Sequence, residues 1–193
     1  AFKDRIVFLG LQGSYGRGEQ TPTSDIDVVV ILDRVEFADL QSYRSIINQM
    51  ESRDLVCGFV AGMSELLAWE KYDLLQLYLD TVPYFGSLDF LKEYFNKEDI
   101  KRAVRVGACN VYHAASHNFL HARDMVALRM KHYLDTGIYV PAMNELIKVA
   151  SAEDSYILEV CVQSFADNNE SEFTEKSEML IAWASSLIHE CSY

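Results

Sequence analysis

Gly13-Ser14-Tyr15-Gly16-Arg17-Gly18, followed after five residues by Ser24-Asp25-Ile26-Asp27, lies between two β-prone runs, Arg5-Ile-Val-Phe-Leu-Gly-Leu11 and Ile26-Asp-Val-Val-Val-Ile-Leu32. The order reads as strand, glycine-rich loop, strand. Gly13 lets the chain turn tightly and approach a ligand. Ser14 and the neighbouring backbone N–H groups would then point at phosphate oxygens, best at the start of a helix. Asp25 and Asp27 stand two apart along a strand, so their carboxylates project from one face. Two hard anionic ligands on one face suit Mg²⁺, which takes a few carboxylates together with water and substrate phosphates. Arg17 and Ser24 are candidate triphosphate contacts, because a guanidinium pairs bidentately with phosphate and a hydroxyl donates to it. The bland alternative makes Asp25 a turn cap and Asp27 a solvent-facing strand residue. It is disfavoured because an acid in an otherwise aliphatic strand needs a partner when buried. A dinucleotide-binding reading of the glycines fails on spacing, since a second strand arrives within eight residues of Gly18 instead of a full helix.

The chemistry this arrangement serves is attack on the α-phosphorus of a nucleoside triphosphate, with Mg²⁺ at Asp25 and Asp27 neutralising charge on the entering and leaving oxygens and pyrophosphate released. The same residues resemble the G-S-x-A-R-G…S-D-x-D signature of the minimal nucleotidyltransferase branch of the DNA polymerase beta superfamily, with Gly16 where Ala is usual. That family includes aminoglycoside and lincosamide nucleotidyltransferases and the antitoxins that partner HEPN-type helical toxins. The resemblance implies an α+β chain: a small mixed-sheet nucleotidyltransferase domain, then an all-helical bundle that helps form the acceptor site. It also implies an NTP co-substrate, ATP first, and a hydroxyl acceptor. Family members usually add a third carboxylate on a neighbouring strand, as metal ligand or general base. The corresponding strand here, Leu55-Val-Cys-Gly-Phe-Val-Ala61, has no acid, which leaves Asp54 and Asp80 as candidate substitutes. Without one, the alternative is a catalytically weak nucleotide-binding or antitoxin-like regulatory protein acting on a protein partner.

Outward from the motif, Phe37, Leu40, Tyr43, Ile47 and Met50 recur at spacings of three and four and predict a helix whose stripe packs on the sheet. Leu55 to Ala61 is a third strand, Ser64 caps a short helix through Trp69, and Leu74 to Thr81 fits helix or strand. After Pro83 and Gly86 the periodicity is helical almost throughout, so residues 1–95 form the nucleotidyltransferase domain and 96–193 the helical bundle. The expected bundle has a long helix from about Glu98, breaks at Asp135-Thr136-Gly137 and Pro141, and helices near Ala142 to Ala150, Glu153 to Phe165 and Ser171 to His189. No turn signal falls between Glu98 and Leu134, so a linker is expected to be missing near His121 to Met125.

The net charge of −12 argues against a nucleic-acid template, whose binding depends on Lys and Arg, and favours a small, cationic acceptor. Cys57, Cys109, Cys161 and Cys191 have no zinc-type spacing and read as reduced thiols. No aliphatic run approaches the roughly 20 residues of a membrane helix. With no signal peptide evident, a cytoplasmic location without membrane attachment is expected, and the start at Ala1 leaves room for preceding sequence. His113, His117 and His121, four apart, would line one helix face. They are read as a polar row rather than a metal site, and as an acceptor-cleft wall facing the catalytic strand directly or from the second subunit of a homodimer.

Overall fold

Consecutive valine and isoleucine at positions 28–31 favour a strand buried on both faces, and this run is central to the sheet in the computed structural model. The structure describes residues 2–122 and 170–192, and the chain divides into two compact units, Ala1–Phe95 and Asn96–Tyr193. The first holds a mixed sheet of β1 (Ile6–Gln12), β2 (Ile26–Leu32), β3 (Val56–Gly62) and β4 (Val82–Phe85), in the order β3-β2-β1-β4. β1 runs antiparallel to β2 and β4, whereas β2 and β3 are parallel. A parallel pair needs a crossover, and α2 (Phe37–Ile47) supplies it. A five-residue helix α1 (Gly13–Arg17) follows β1 directly. After β3 come α3 (Met63–Leu67) and α4 (Lys71–Asp80). Leu66 of α3 and Leu74 and Leu77 of α4 join Phe8, Val29, Ile31 and Ala61 of the sheet in one core, with Leu91 from a 3-10 turn at Asp89–Tyr94 and Leu88 just before it. Each fully buried leucine there contributes about 1.5–3 kcal/mol through lost water contact.

Three local expectations need correction. The stripe of α2 does not disappear into the sheet: Phe37 is 75% exposed and Leu40 and Met50 remain exposed, with only Tyr43 and Ile47 partly buried. Helical spacing marks a helix but not the surface that covers it. α2 is instead anchored at its start by a capping box between Glu36 and Asp39 and by Arg5, whose Nη1 and Nη2 donate to Asp39 at 2.7 and 3.0 Å. Ser64 does not cap α3; Gly62 holds that position and the Ser64 hydroxyl donates to Glu65. The segment Leu74 to Thr81 resolves to helix through Asp80, and the strand that follows, β4, went unread because Pro83 signalled a break. Proline is tolerated there because β4 is an edge strand.

In the second unit, α5 (Lys97–His117) starts at Asn96, whose side chain accepts from the N–H groups of Glu98 and Asp99. It buries Ile100, Ala103, Val104, Gly107, Ala108, Val111 and Ala115 along one stripe. α6 (Glu170–Glu190) buries Phe173, Leu180, Trp183, Ala184 and Leu187 and packs on α5. The turn-free span ends its α-helix at His117 and continues as one π-helical turn, Asn118–Ala122. The expected breaks and helices between 135 and 165, and most of the suspected gap near 121–125, lie outside the described residues. Among the described residues, no helix is long and apolar enough to cross a membrane.

Candidate active site

The β1–β2 ladder pairs Gln12 with Asp27, which brings the glycine-rich loop and the two aspartates to the same end of the sheet. Gly13 turns the chain out of β1 at φ +67°, a left-handed conformation natural to glycine. A Cβ on Gly13 would lie 2.5 Å from Asp27 Oδ2. The first glycine of the motif is thus favoured by the turn, and a side chain there would also displace the Asp27 carboxylate. Its N–H donates to Asp80 Oδ2 at 3.3 Å, and Asp80 is the last residue of α4. The other Asp80 oxygen accepts from Arg17 Nη1 at 2.6 Å, and Arg17 Nε reaches Glu19 at 2.8 Å. Hydrogen bonding to Glu19, and then to Asp80 against the cost of burial, raises the Arg17 pKa above its ordinary value.

Asp25 is exposed and sits one residue before β2, while Asp27 is its second residue and partly buried. Burial pushes the Asp27 carboxyl up from its ordinary range, the charge of Asp25 and then of Asp80 adds to this, and a hydrogen bond from Cys57 together with Arg17 opposes it. Cys57 arrives through the parallel ladder, where it is the partner of Asp27 on β3 and shares its face. One ligand atom from each of Asp25, Asp27 and Cys57 lies within 4.8 Å of the others, and no other set of three metal-ligating side chains converges so among the described residues. Two neighbouring carboxylates, of which Asp27 is pushed up by burial and by the charge of the other, are a donor set that a divalent cation relieves. The pair therefore fits Mg²⁺ through its oxygens.

The remaining candidates divide. Ser14 is in the first turn of α1, which receives no side-chain cap from Gln12. The Ser24 hydroxyl accepts from the Thr21 N–H at 2.9 Å and so closes the loop before Asp25. Asp54 is 86% exposed and paired with Arg53 at 3.2 Å, whereas the side chain of Asp80 is 10% exposed and belongs to the site's surroundings. Cys57 is the residue that reading the strand for an acid passed over. His113, His117 and His121 form an exposed row, with ring centroids 6.3 and 5.2 Å apart in succession. Cys57, Cys109 and Cys191 are free thiols.

Comparison with known proteins gives three findings. Residues 1–105 match the family model described as "Nucleotidyltransferase domain". A stretch of 49 residues, 25% of this chain, is 39% identical to a Methanocaldococcus jannaschii protein described as "Putative protein adenylyltransferase". That stretch covers 49% of the relative, so the chain spans about half the length of the curated protein it matches. Among solved structures, the spectinomycin adenyltransferase AAD(9) from Enterococcus faecialis, crystallised with ATP and spectinomycin, aligns over 97% of this chain and 93% of its own at 15% identity and a TM-score of 0.48.

Proposed function

The chain belongs to the nucleotidyltransferase domain family, and on that premise we propose that it transfers a nucleoside monophosphate from an NTP, ATP first, to a hydroxyl acceptor. The observation that carries this reading is the convergence of Asp25 and Asp27 beside the Gly13 turn. Asp25 and Asp27 would hold Mg²⁺, which when bound would supply charge neutralisation at the phosphates. Gly13 and Ser14 let the backbone approach the triphosphate, and Ser24 shapes the loop that does so. Arg17 exchanges its carboxylate partners for phosphate oxygens, a bidentate substitution its geometry permits. A bond forms from the acceptor oxygen to the α-phosphorus as the bond to pyrophosphate breaks. The acceptor proton passes to a carboxylate at this end of the sheet, for which Asp80 is better placed than the exposed Asp54.

A small cationic, hydroxylated acceptor of the aminoglycoside type suits the charge of −12. A second reading, modification of a protein hydroxyl, is favoured by the name of the Methanocaldococcus relative. Pyrophosphate release from ATP and Mg²⁺ across a panel of aminoglycosides, run beside transfer of labelled AMP to proteins, separates the two. The activity is expected in one arm and absent after Asp25→Ala with Asp27→Ala. Absence of NTP affinity by isothermal titration with Mg²⁺ present would overturn the proposal.

A further inference from the structure

The position that a third carboxylate would be expected to fill is held by a thiol. Cys57 is the ladder partner of Asp27 and shares its face. Its sulfur and one oxygen from each of Asp25 and Asp27 lie within 4.8 Å of one another. That is close to the span of one coordination sphere, in which metal–ligand bonds run to ~2.0–2.3 Å on either side of the ion. The backbone accommodates this approach at the next residue: Gly58 has φ +133°, and a Cβ there would collide with the backbone of Val28 on β2. β3 is therefore held tightly against β2 directly beside Cys57.

Sulfur is a poor ligand for Mg²⁺, which selects oxygen, but a good one for softer divalent ions. We propose that Cys57 is a third, sulfur ligand beside Asp25 and Asp27, so that this site takes a thiophilic divalent cation in preference to Mg²⁺. The inference rests on the assignment of Asp25 and Asp27 as metal ligands under the proposed function, and it changes which ion they work with. Mg²⁺ would still bind through the two carboxylates alone. Ions of the Zn²⁺ and Cd²⁺ class gain the third bond, and the thiol proton is released to solvent as that bond forms.

The test uses the full chain and the metal alone. Cd²⁺ is titrated while the ultraviolet sulfur-to-metal charge-transfer absorption is recorded, and Mg²⁺ affinity is measured by calorimetry. Cys57→Ser is expected to lose at least about tenfold in Cd²⁺ affinity and part of the charge-transfer amplitude, with Mg²⁺ affinity little changed. Cys57→Asp, which restores an oxygen ligand, is expected to move the preference toward Mg²⁺. Asp27→Asn should reduce the same part of the absorption that Cys57→Ser removes. Cd²⁺ affinity and absorption identical in wild type and Cys57→Ser would overturn the proposal, as would absorption lost in Cys57→Ser but untouched by Asp25→Asn and Asp27→Asn. ATP and Mg²⁺ binding measured on the wild type tells the two failures apart. Binding intact with a silent Cys57 sinks only the sulfur ligand, and no ATP binding sinks the nucleotidyltransferase reading whatever Cd²⁺ does.

Discussion

The two ends of the β1–β2 ladder, separated by about 20 Å of paired strand, treat their acidic residues in opposite ways. At the end where Ile6 pairs with Leu32, Arg5 gathers Asp33, Asp39 and the Arg34 carbonyl at 2.7–3.0 Å. Its hydrogen bonds, helped by the Glu36 N–H, hold the Asp39 carboxyl down at about 2. Where Gln12 pairs with Asp27, Asp25, Asp27 and Asp80 crowd together and Arg17 is shared with Glu19. There burial and repulsion push the Asp27 carboxyl up. Acids that serve the fold are neutralised by the fold. A carboxylate held under burial and repulsion costs stability, and such groups concentrate at sites where a ligand relieves them.

The largest effect expected from this contrast is on activity. Asp25→Asn or Asp27→Asn should lower nucleotidyl transfer by on the order of a hundredfold or more, several kcal/mol of lost charge stabilisation at the phosphates, read as initial rates of pyrophosphate release. Next comes Gly13→Ala, which forces a side chain into a left-handed backbone and against Asp27. It should cost about 1–3 kcal/mol, seen as a lower urea midpoint, and weaken nucleotide binding as well. A Gly13→Ala protein with unchanged stability and affinity would break the link between turn and carboxylate.

The smallest effect belongs to the balanced end and sharpens the comparison through pH. The folded Asp39 pKa lies below its ordinary value of 3.8, so its pairing stabilises fully above that value and is lost as pH falls toward about 2. Arg5→Met should therefore unfold at a lower temperature than wild type at pH 7, and the gap should narrow as pH falls from about 4 to about 2. A gap that stays constant over that window would show that the Arg5 cluster works by packing and not by charge.

How much of this was legible in the sequence follows from what kind of signal each part leaves. β2 was readable to the residue because aliphatic β-branched residues fill it, whereas α5 was placed only from about Glu98 and its start at the Asn96 cap came from the structure. That Gly13, Asp25 and Asp27 lie close together was legible because one short loop joins the two strands that carry them, and the ladder pairs Gln12 with Asp27. Cys57 was not, since its place beside Asp27 depends on the register between two strands about 30 residues apart in the chain, and no local rule sets that. The covering of α2 was misread for a related reason: periodicity specifies a face, whereas its burial depends on which other elements claim the sheet. β4 was missed because Pro83 speaks against a strand until its edge position is known.

The most direct test of the central claim is thermal unfolding of wild type, Asp27→Asn and Asp39→Asn, each with and without ATP and Mg²⁺. Ligand at about 100 times its Kd stabilises a native state by about 2.7 kcal/mol. Asp27→Asn removes a repelled charge, so it should unfold at or above the wild-type temperature and lose that ligand-induced rise. Asp39→Asn should unfold below wild type and keep the full rise. An Asp27→Asn protein that is destabilised yet still gains the full stabilisation from ATP and Mg²⁺ would contradict the assignment of the repelled end of the ladder as the nucleotide site.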